Sequence, residues 1–209
     1  MRFKLVIFDF DGTLADSLGW FIAISDQLAD EFGFDRIDKT RMASLRRLDA
    51  TTLLRLHRVP FWKLPFIAAR FRRLMTRQID RIVPFPGVPE MLERLARVGC
   101  ILAMVTSNSC GNVRRVLGRK TTGLFSHCAG GASLKGKPVK LCKILRRFHI
   151  EPAQAIFIGD EIRDIKAARQ VGMASGAVSW GFTEADALKA HGPEWLFTSL
   201  DEMQDILVG

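Results

Sequence analysis

Apolar residues along this chain follow two rhythms, and the change from one to the other divides the sequence. The run Leu5-Val6-Ile7-Phe8 has the length and the β-branched, aromatic character of a buried strand. From Ser17 to about Val83 apolar positions recur at three-and-four spacing (Phe21, Ile24, Leu28, Phe32), which predicts helices, punctuated by Gly33, Pro60 and Pro65. Pro84, Pro86, Gly87 and Pro89 then mark a return segment, followed by a helix through Arg97. Beyond it, short apolar runs at 100–105, 124–129, 155–158 and 174–178 read as strands. Helices near 112–117, 139–149, 162–171 and 184–190 intervene, and a short strand at 195–197 precedes a final helix.

Alternation of this kind implies a parallel sheet covered on both faces. The expected fold class is therefore α/β: a Rossmann-like, three-layer core closed from residues 1–15 and 84–209. The helical stretch 16–83, inserted after the first strand, is expected to form a separate all-helical cap over the sheet's C-terminal edge. No internal repeat or low-complexity tract interrupts this scheme.

Where the first strand ends, the pattern turns chemical. Asp9-Phe10-Asp11-Gly12-Thr13 delivers two carboxylates, two positions apart, to the same side of the strand's C-terminal end. Gly12 lets the chain pass closely around whatever they hold. Strand ends are where open α/β sheets place their ligands, so this reads as a site that handles phosphate. Three later segments have similar settings. Val105-Thr106-Ser107-Asn108 closes one predicted strand and opens a predicted helix, where a hydroxyl and free backbone N–H groups can hold an anion. Such residues also serve simply as helix caps. Gly136-Lys137-Pro138 places a lysine at another helix start, with Lys135 and Lys140 close by as competing candidates. Gly159-Asp160-Glu161-Ile162-Arg163-Asp164 ends a strand with two carboxylates one helical turn apart, a spacing that also suits capping and dipole compensation.

These four segments, in this order, resemble the haloacid dehalogenase-like superfamily of hydrolases, and within it the phosphoglycolate phosphatase-like branch. The resemblance covers nearly the whole chain, strongest in the core and weakest from about Gly19 to Val83. It implies an aspartate-nucleophile phosphatase. Asp9 would be the nucleophile and Asp11 the general acid and base, a pairing that suits two-step transfer through an aspartyl-phosphate. Thr106 and Lys137 would act on the transferring phosphoryl group, with Ser107 and Asn108 completing the phosphate site; the family's lysine stands before proline, which favours Lys137. The resemblance also implies Mg²⁺, held by Asp9, the backbone carbonyl of Asp11 and Asp160, with Asp164 in support. Clustered carboxylates facing a phosphate call for such a hard cation on electrostatic grounds as well. Asp11 sets the chain apart from dehalogenases and phosphonate-cleaving relatives, which lack the second acid.

Composition adds limits. Apolar residues make up 48% and charged residues 25% of 209, the balance of an ordinary soluble globule of one domain with a modest insert. No run approaches the roughly 18 apolar residues of a membrane span, and Asp9 interrupts what could be a signal-peptide core, so the expected compartment is the cytoplasm. Cys100, Cys110, Cys128 and Cys142 show neither CxxC spacing nor a disulfide framework and are expected as free thiols, with Cys110, just past Thr106, taking no part in the site. His57, His127, His149 and His191 lack metal-ligand spacing, and Trp180-Gly181-Phe182, beside a strand end, reads first as ordinary packing and second as a border of the pocket.

The net charge is +9, and between Arg36 and Arg81 there are 13 basic residues against three acidic ones. Solvated helix faces are the first reading of that excess, and a field that draws anionic substrate to a cleft is the second. Nucleic acid ranks third, because no recognition motif accompanies the charge and the chain has no tyrosine. The basic amphipathic segment 61–77 could also touch an anionic membrane or a partner helix. The expected partner is a small phosphorylated metabolite. Two other functions are open: a phosphosugar mutase, which shares every core residue, and a non-catalytic docking or regulatory protein that keeps the fold and docks through its basic cap, against which the full set of site residues argues.

Overall fold

The computed structural model describes residues 2–131 and 136–209. Strand β1 (Leu5–Phe8) is central in a six-stranded sheet with β4 (Ile101–Val105) and β5 (Phe125–Ala129) on one side. On the other side lie β6 (Ala155–Gly159), β7 (Ala174–Val178) and β8 (Trp195–Phe197). Every pairing in this sheet is parallel, with Phe8 in register with Met104 on one flank and Ile158 on the other. Both faces are buried, which explains why these strands are near-continuous apolar runs rather than alternating ones. Leu5 and Ile7 share a core with Leu141 and Ile144 of α7 (Gly136–Phe148) and Ala168 of α8 (Ile162–Gln170). Val6 and Phe8 share the opposite core with Leu92 and Leu95 of α5 (Val88–Arg97), Val113 of α6 (Cys110–Thr122) and Met203 of α10 (Leu200–Val208). The three layers expected of the core are present.

Between β1 and β4 the chain builds α1 (Leu18–Phe32), α2 (Met42–Leu45), α3 (Ala50–Leu56) and α4 (Leu64–Gln78), the helical cap. An antiparallel pair, β2 (Ala15–Asp16) with β3 (Val83–Pro84), lies where the chain leaves and returns. The cap is held by aromatic packing: Trp20 meets Phe71 edge-on at 5.3 Å, and its indole N–H donates to Gln78 Oε1 at 3.0 Å. Helix α1 ends where Gly33 takes φ +69° and its N–H reaches the Ala29 carbonyl. A short helix α9 (Ala185–Ala190) completes the core. No described helix is long and apolar enough to cross a membrane.

Two expectations need correction. Cys110 and Cys128 form a disulfide, with Cα atoms 6.2 Å apart, while Cys100 and Cys142 are free. Cys128 lies near the end of β5 and Cys110 opens α6 after β4; because the two strands are parallel neighbours, positions 18 apart in sequence meet at the same sheet edge. The pairing also removes the support that free thiols lent to a cytoplasmic setting. The second correction concerns the start of helix α6, which begins two residues before the expected 112–117 yet after Ser107 and Asn108, the residues the sequence places at its start. Its cap is Ser109, whose hydroxyl accepts from Asn112 N–H at 3.0 Å, so Thr106, Ser107 and Asn108 form a separate turn before it.

Candidate active site

The ends of three adjacent strands, β4, β1 and β6, supply the site. Asp9 follows β1 and extends its ladder, donating its N–H to the Ile158 carbonyl at 2.8 Å. Phe10 turns into the core, which leaves Asp9 and Asp11 on the other side. The Phe10 carbonyl then receives the N–H groups of Thr13, Leu14 and Ala15, closing a tight loop. Gly12 sits in that loop at φ +76°, and a Cβ there would fall 2.1 Å from Asp160 Oδ2. Only glycine meets both demands.

Asp9, Asp160 and Asp164 converge, each offering a carboxylate oxygen within 4.8 Å of the others, and all three are buried. Lys137, near the start of α7, places Nζ 2.5 Å from Asp9 Oδ2 and also in contact with Asp164 Oδ1. Among the described neighbours in sequence, Lys140 goes elsewhere: its ammonium donates to the carbonyls of Thr106, Ala129 and Gly131. Lys135 lies outside the described residues. Asp160 has both oxygens fixed, Oδ1 by the Thr13 hydroxyl at 3.0 Å and Oδ2 by the Phe182 N–H at 2.8 Å. Asp164 also takes part in a capping box with Glu161, so it caps α8 while facing the cluster.

Thr106 is buried and accepts the Asn108 N–H on its hydroxyl at 2.9 Å, whereas Ser107 is exposed. Asn108 receives N–H groups from Ser109 and Asn112 on its side-chain oxygen. Its amide nitrogen therefore points to Asp11, 3.3 Å from Oδ2, and to the sulfur of Met75 in the cap. The structure thus brings Asp9, Lys137, Asp160 and Asp164 into direct contact or close range, and ties Thr106 and Asn108 to Asp11 through one turn. The Asp11 carboxylate stands outside the three-acid cluster.

Burial dominates the electrostatics. It raises the carboxyl of Asp9, with Lys137 pulling the other way, and lifts Asp160 well above the usual range, aided by Glu161, Asp9 and Asp164. Asp11 is pushed up to about 7, first by burial and next by the charge of Asp9. Burial opposes the charge of Lys137, but Asp164 and Asp9 outweigh it and shift the ammonium upward. Five carboxyl groups (Asp9, Asp11, Glu161, Asp160, Asp164) thus face two cations, Lys137 and Arg163. That excess of negative charge, carried on oxygen donors, suits a hard divalent cation such as Mg²⁺.

Some members of the site emerge only from the fold. Thr13 belonged to the first motif without an assigned role. Phe182 contributes a backbone N–H, which its side-chain identity does not advertise, so the segment 180–182 borders the site rather than merely packing. Arg46, one of 13 basic residues in its region, reaches from the cap to the carbonyls of Gly181 and Phe182 at 2.7 and 3.1 Å.

A parallel α/β core whose first strand ends in two carboxylates, with an inserted cap and an acid cluster at the strand ends, defines a class of group-transfer hydrolases. The family model of haloacid dehalogenase-like hydrolases matches residues 6–178, and the chain belongs to that family, in its phosphoglycolate phosphatase-like branch of phosphatases. A phosphoglycolate phosphatase of Synechococcus elongatus is 35% identical over 96% of this chain and 95% of its own. An N-acetylmuramic acid 6-phosphate phosphatase of Pseudomonas aeruginosa is 26% identical over 99% and 96%. In fold, the chain is similar to a haloacid dehalogenase-like hydrolase from Streptococcus pneumoniae, with TM-score 0.81, 21% identity and 98% of each chain covered.

Proposed function

We propose that this phosphatase is a Mg²⁺-dependent phosphomonoester hydrolase acting on a small organophosphate through an aspartyl-phosphate on Asp9. The observation that carries the reading is the buried contact of Asp9 with Lys137, made at a strand end beside a second acid two positions on. Asp9 Oδ attacks phosphorus as the ester oxygen leaves, and Asp11, pushed up to about 7 and so carrying a proton in a large fraction of molecules at neutral pH, donates that proton to the oxygen. Asp11 is then a carboxylate. It takes a proton from water as the water attacks phosphorus and returns Asp9 to its free form. Lys137 stays charged and offsets the charge that builds on the phosphoryl oxygens. The Thr106 turn, with Ser107 and Asn108, supplies the remaining donors for the phosphate. Asp9, Asp160 and Asp164, with the Asp11 carbonyl, would hold Mg²⁺, which when bound neutralises charge on the phosphate and the carboxylates.

The substrate we propose is a small phosphorylated carboxylic acid of the phosphoglycolate type. The 35% identity to the Synechococcus phosphatase across nearly the full length supports it. We also propose that the core comprises 1–15 and 84–209 and the cap 16–83, hinged where Ala15 pairs with Pro84 and Asp16 with Val83. Release of inorganic phosphate from a panel of small esters, with and without Mg²⁺, tests the activity. Metal-dependent release with preference for phosphoglycolate supports the reading; release unaffected by chelator, or none from any ester, overturns it.

A further inference from the structure

Three large aromatic side chains stand in solvent at one end of the cap. Phe61, Trp62 and Phe66 are 85%, 69% and 63% exposed. They open a helical run that begins as a single turn, Phe61–Lys63, and continues as α4. Trp62 and Phe66 are four positions apart and so share a helix face. That face continues through Ala69 and Arg73, flanked by Arg72 and Arg77, all exposed. The opposite face is committed to the cap: Phe71 packs on Trp20 and Phe21, and Leu74 and Met75 are buried.

Charge divides along the same line. Arg70 meets Glu31 and Arg58 meets Asp35, but among the described residues Arg72, Arg73, Arg77 and the exposed Arg55 of α3 pair with no carboxylate. The surface therefore combines desolvation-prone aromatic rings with cations that lack counter-ions. Three such exposed rings within six residues are unusual on a protein surface.

We propose that this aromatic and basic face of the cap docks the protein on an anionic lipid surface. The boundary between headgroup and acyl chain accepts Trp and Phe rings while the phosphates above it receive arginine. Charge complementarity selects this occupant. A second copy would bring two positive faces of a +9 chain together. An acidic protein would answer the arginines but leave three adjacent aromatic rings without an apolar partner. The placement also leaves catalysis free. The far end of α4 meets the catalytic loops, with Thr76 accepting from Asn112 and Met75 receiving Asn108. Phe66 lies nine residues before Met75, roughly 14 Å along the helix.

Sedimentation of the full chain with vesicles of phosphatidylglycerol, or of phosphatidylcholine alone, tests the proposal. The wild type is expected to sediment with the anionic vesicles, to be released by salt and to ignore the zwitterionic ones. Replacing Arg72, Arg73 and Arg77 by Gln is expected to weaken binding roughly fivefold per residue. The exposed-site variant F61S/W62S/F66S should keep its circular dichroism and melting temperature yet lose the vesicles. Trp fluorescence should shift to the blue on binding in the wild type, and much less in W62F. Failure of the wild type to bind anionic vesicles at low salt, or equal binding by the aromatic variant, overturns the proposal. Retention on immobilised polyglutamate without vesicle binding would assign the face to an acidic protein and also overturn it. So would a concentration-dependent dimer, abolished by F61S/W62S/F66S, in a protein that ignores vesicles.

Discussion

Arg46 and Phe182 connect the cap to the acid cluster. The Arg46 guanidinium binds the Phe182 carbonyl at 3.1 Å, while the N–H of the same Phe182 binds Asp160 Oδ2 at 2.8 Å. Arg46 also pairs with Glu184 at 2.6 Å, Glu184 returns its N–H to the Arg46 carbonyl, and Arg47 meets Asp186. A segment of the cap thus holds the core loop that orients a candidate metal ligand. Replacing Arg46 by Ala should raise the Mg²⁺ concentration for half-maximal activity by about tenfold, the lower end of the range seen when an outer partner of a metal ligand is lost. Lysine, able to reach one carbonyl, should restore part of it; Mg²⁺ titration of the three proteins checks this.

Lys137 should matter for folding as well as turnover. Its side chain is 12% exposed and compensates two buried carboxylates, Asp9 and Asp164. Removing one partner of a buried ion pair costs about 3–5 kcal/mol. Lys137→Ala should lose about that much stability in chelator by denaturant unfolding, and less with Mg²⁺ present.

Metal-free stability should depend on pH in a defined sense. Asp11 titrates in the folded protein near 7, above the ordinary 3.8, because burial and Asp9 disfavour its charge. The folded chain then binds more protons than the unfolded one, so this contribution is fully present below the unfolded value and lost as pH rises through the folded one. In chelator the melting temperature should fall from about pH 5 to about pH 8. Mg²⁺ at 100 times its dissociation constant should add about 2.7 kcal/mol. Asp160→Asn should abolish that gain. Scanning fluorimetry measures all three.

The Cys110–Cys128 bond encloses a loop 18 residues long and should stabilise the fold by about 3 kcal/mol. Cys110→Ser should lower the melting temperature by roughly 6–12 °C under non-reducing conditions, and dithiothreitol should bring the wild type to a similar value.

Much of this architecture is legible in the sequence for physical reasons. Leu5-Val6-Ile7-Phe8 reads as a strand because a parallel sheet buries both faces, and Asp160, which alone could serve as a helix cap, stands out because Asp9 and Asp11 end another such run. What escapes notice depends on the fold itself. The 18-residue spacing of Cys110 and Cys128 carries no signal until β4 and β5 lie side by side. Phe182 acts through its backbone, so its side chain predicts nothing. Thr106, Ser107 and Asn108 suit a helix start on paper, and only the turn closed by Thr106 on Asn108 leaves the cap to Ser109. Arg46 is one arginine among many until its carbonyl partners are seen.

The central claim is that Asp9 carries the phosphoryl group. Acid quenching of the enzyme during turnover of its best substrate with Mg²⁺, followed by mass spectrometry of the peptide containing Asp9, addresses it directly. A fraction of that peptide should gain the mass of one phosphoryl group, a gain lost on borohydride reduction and absent from a folded Asp9→Asn protein that no longer turns over. Full phosphate release by Asp9→Asn, or a phosphoryl group found on any other residue, would contradict it.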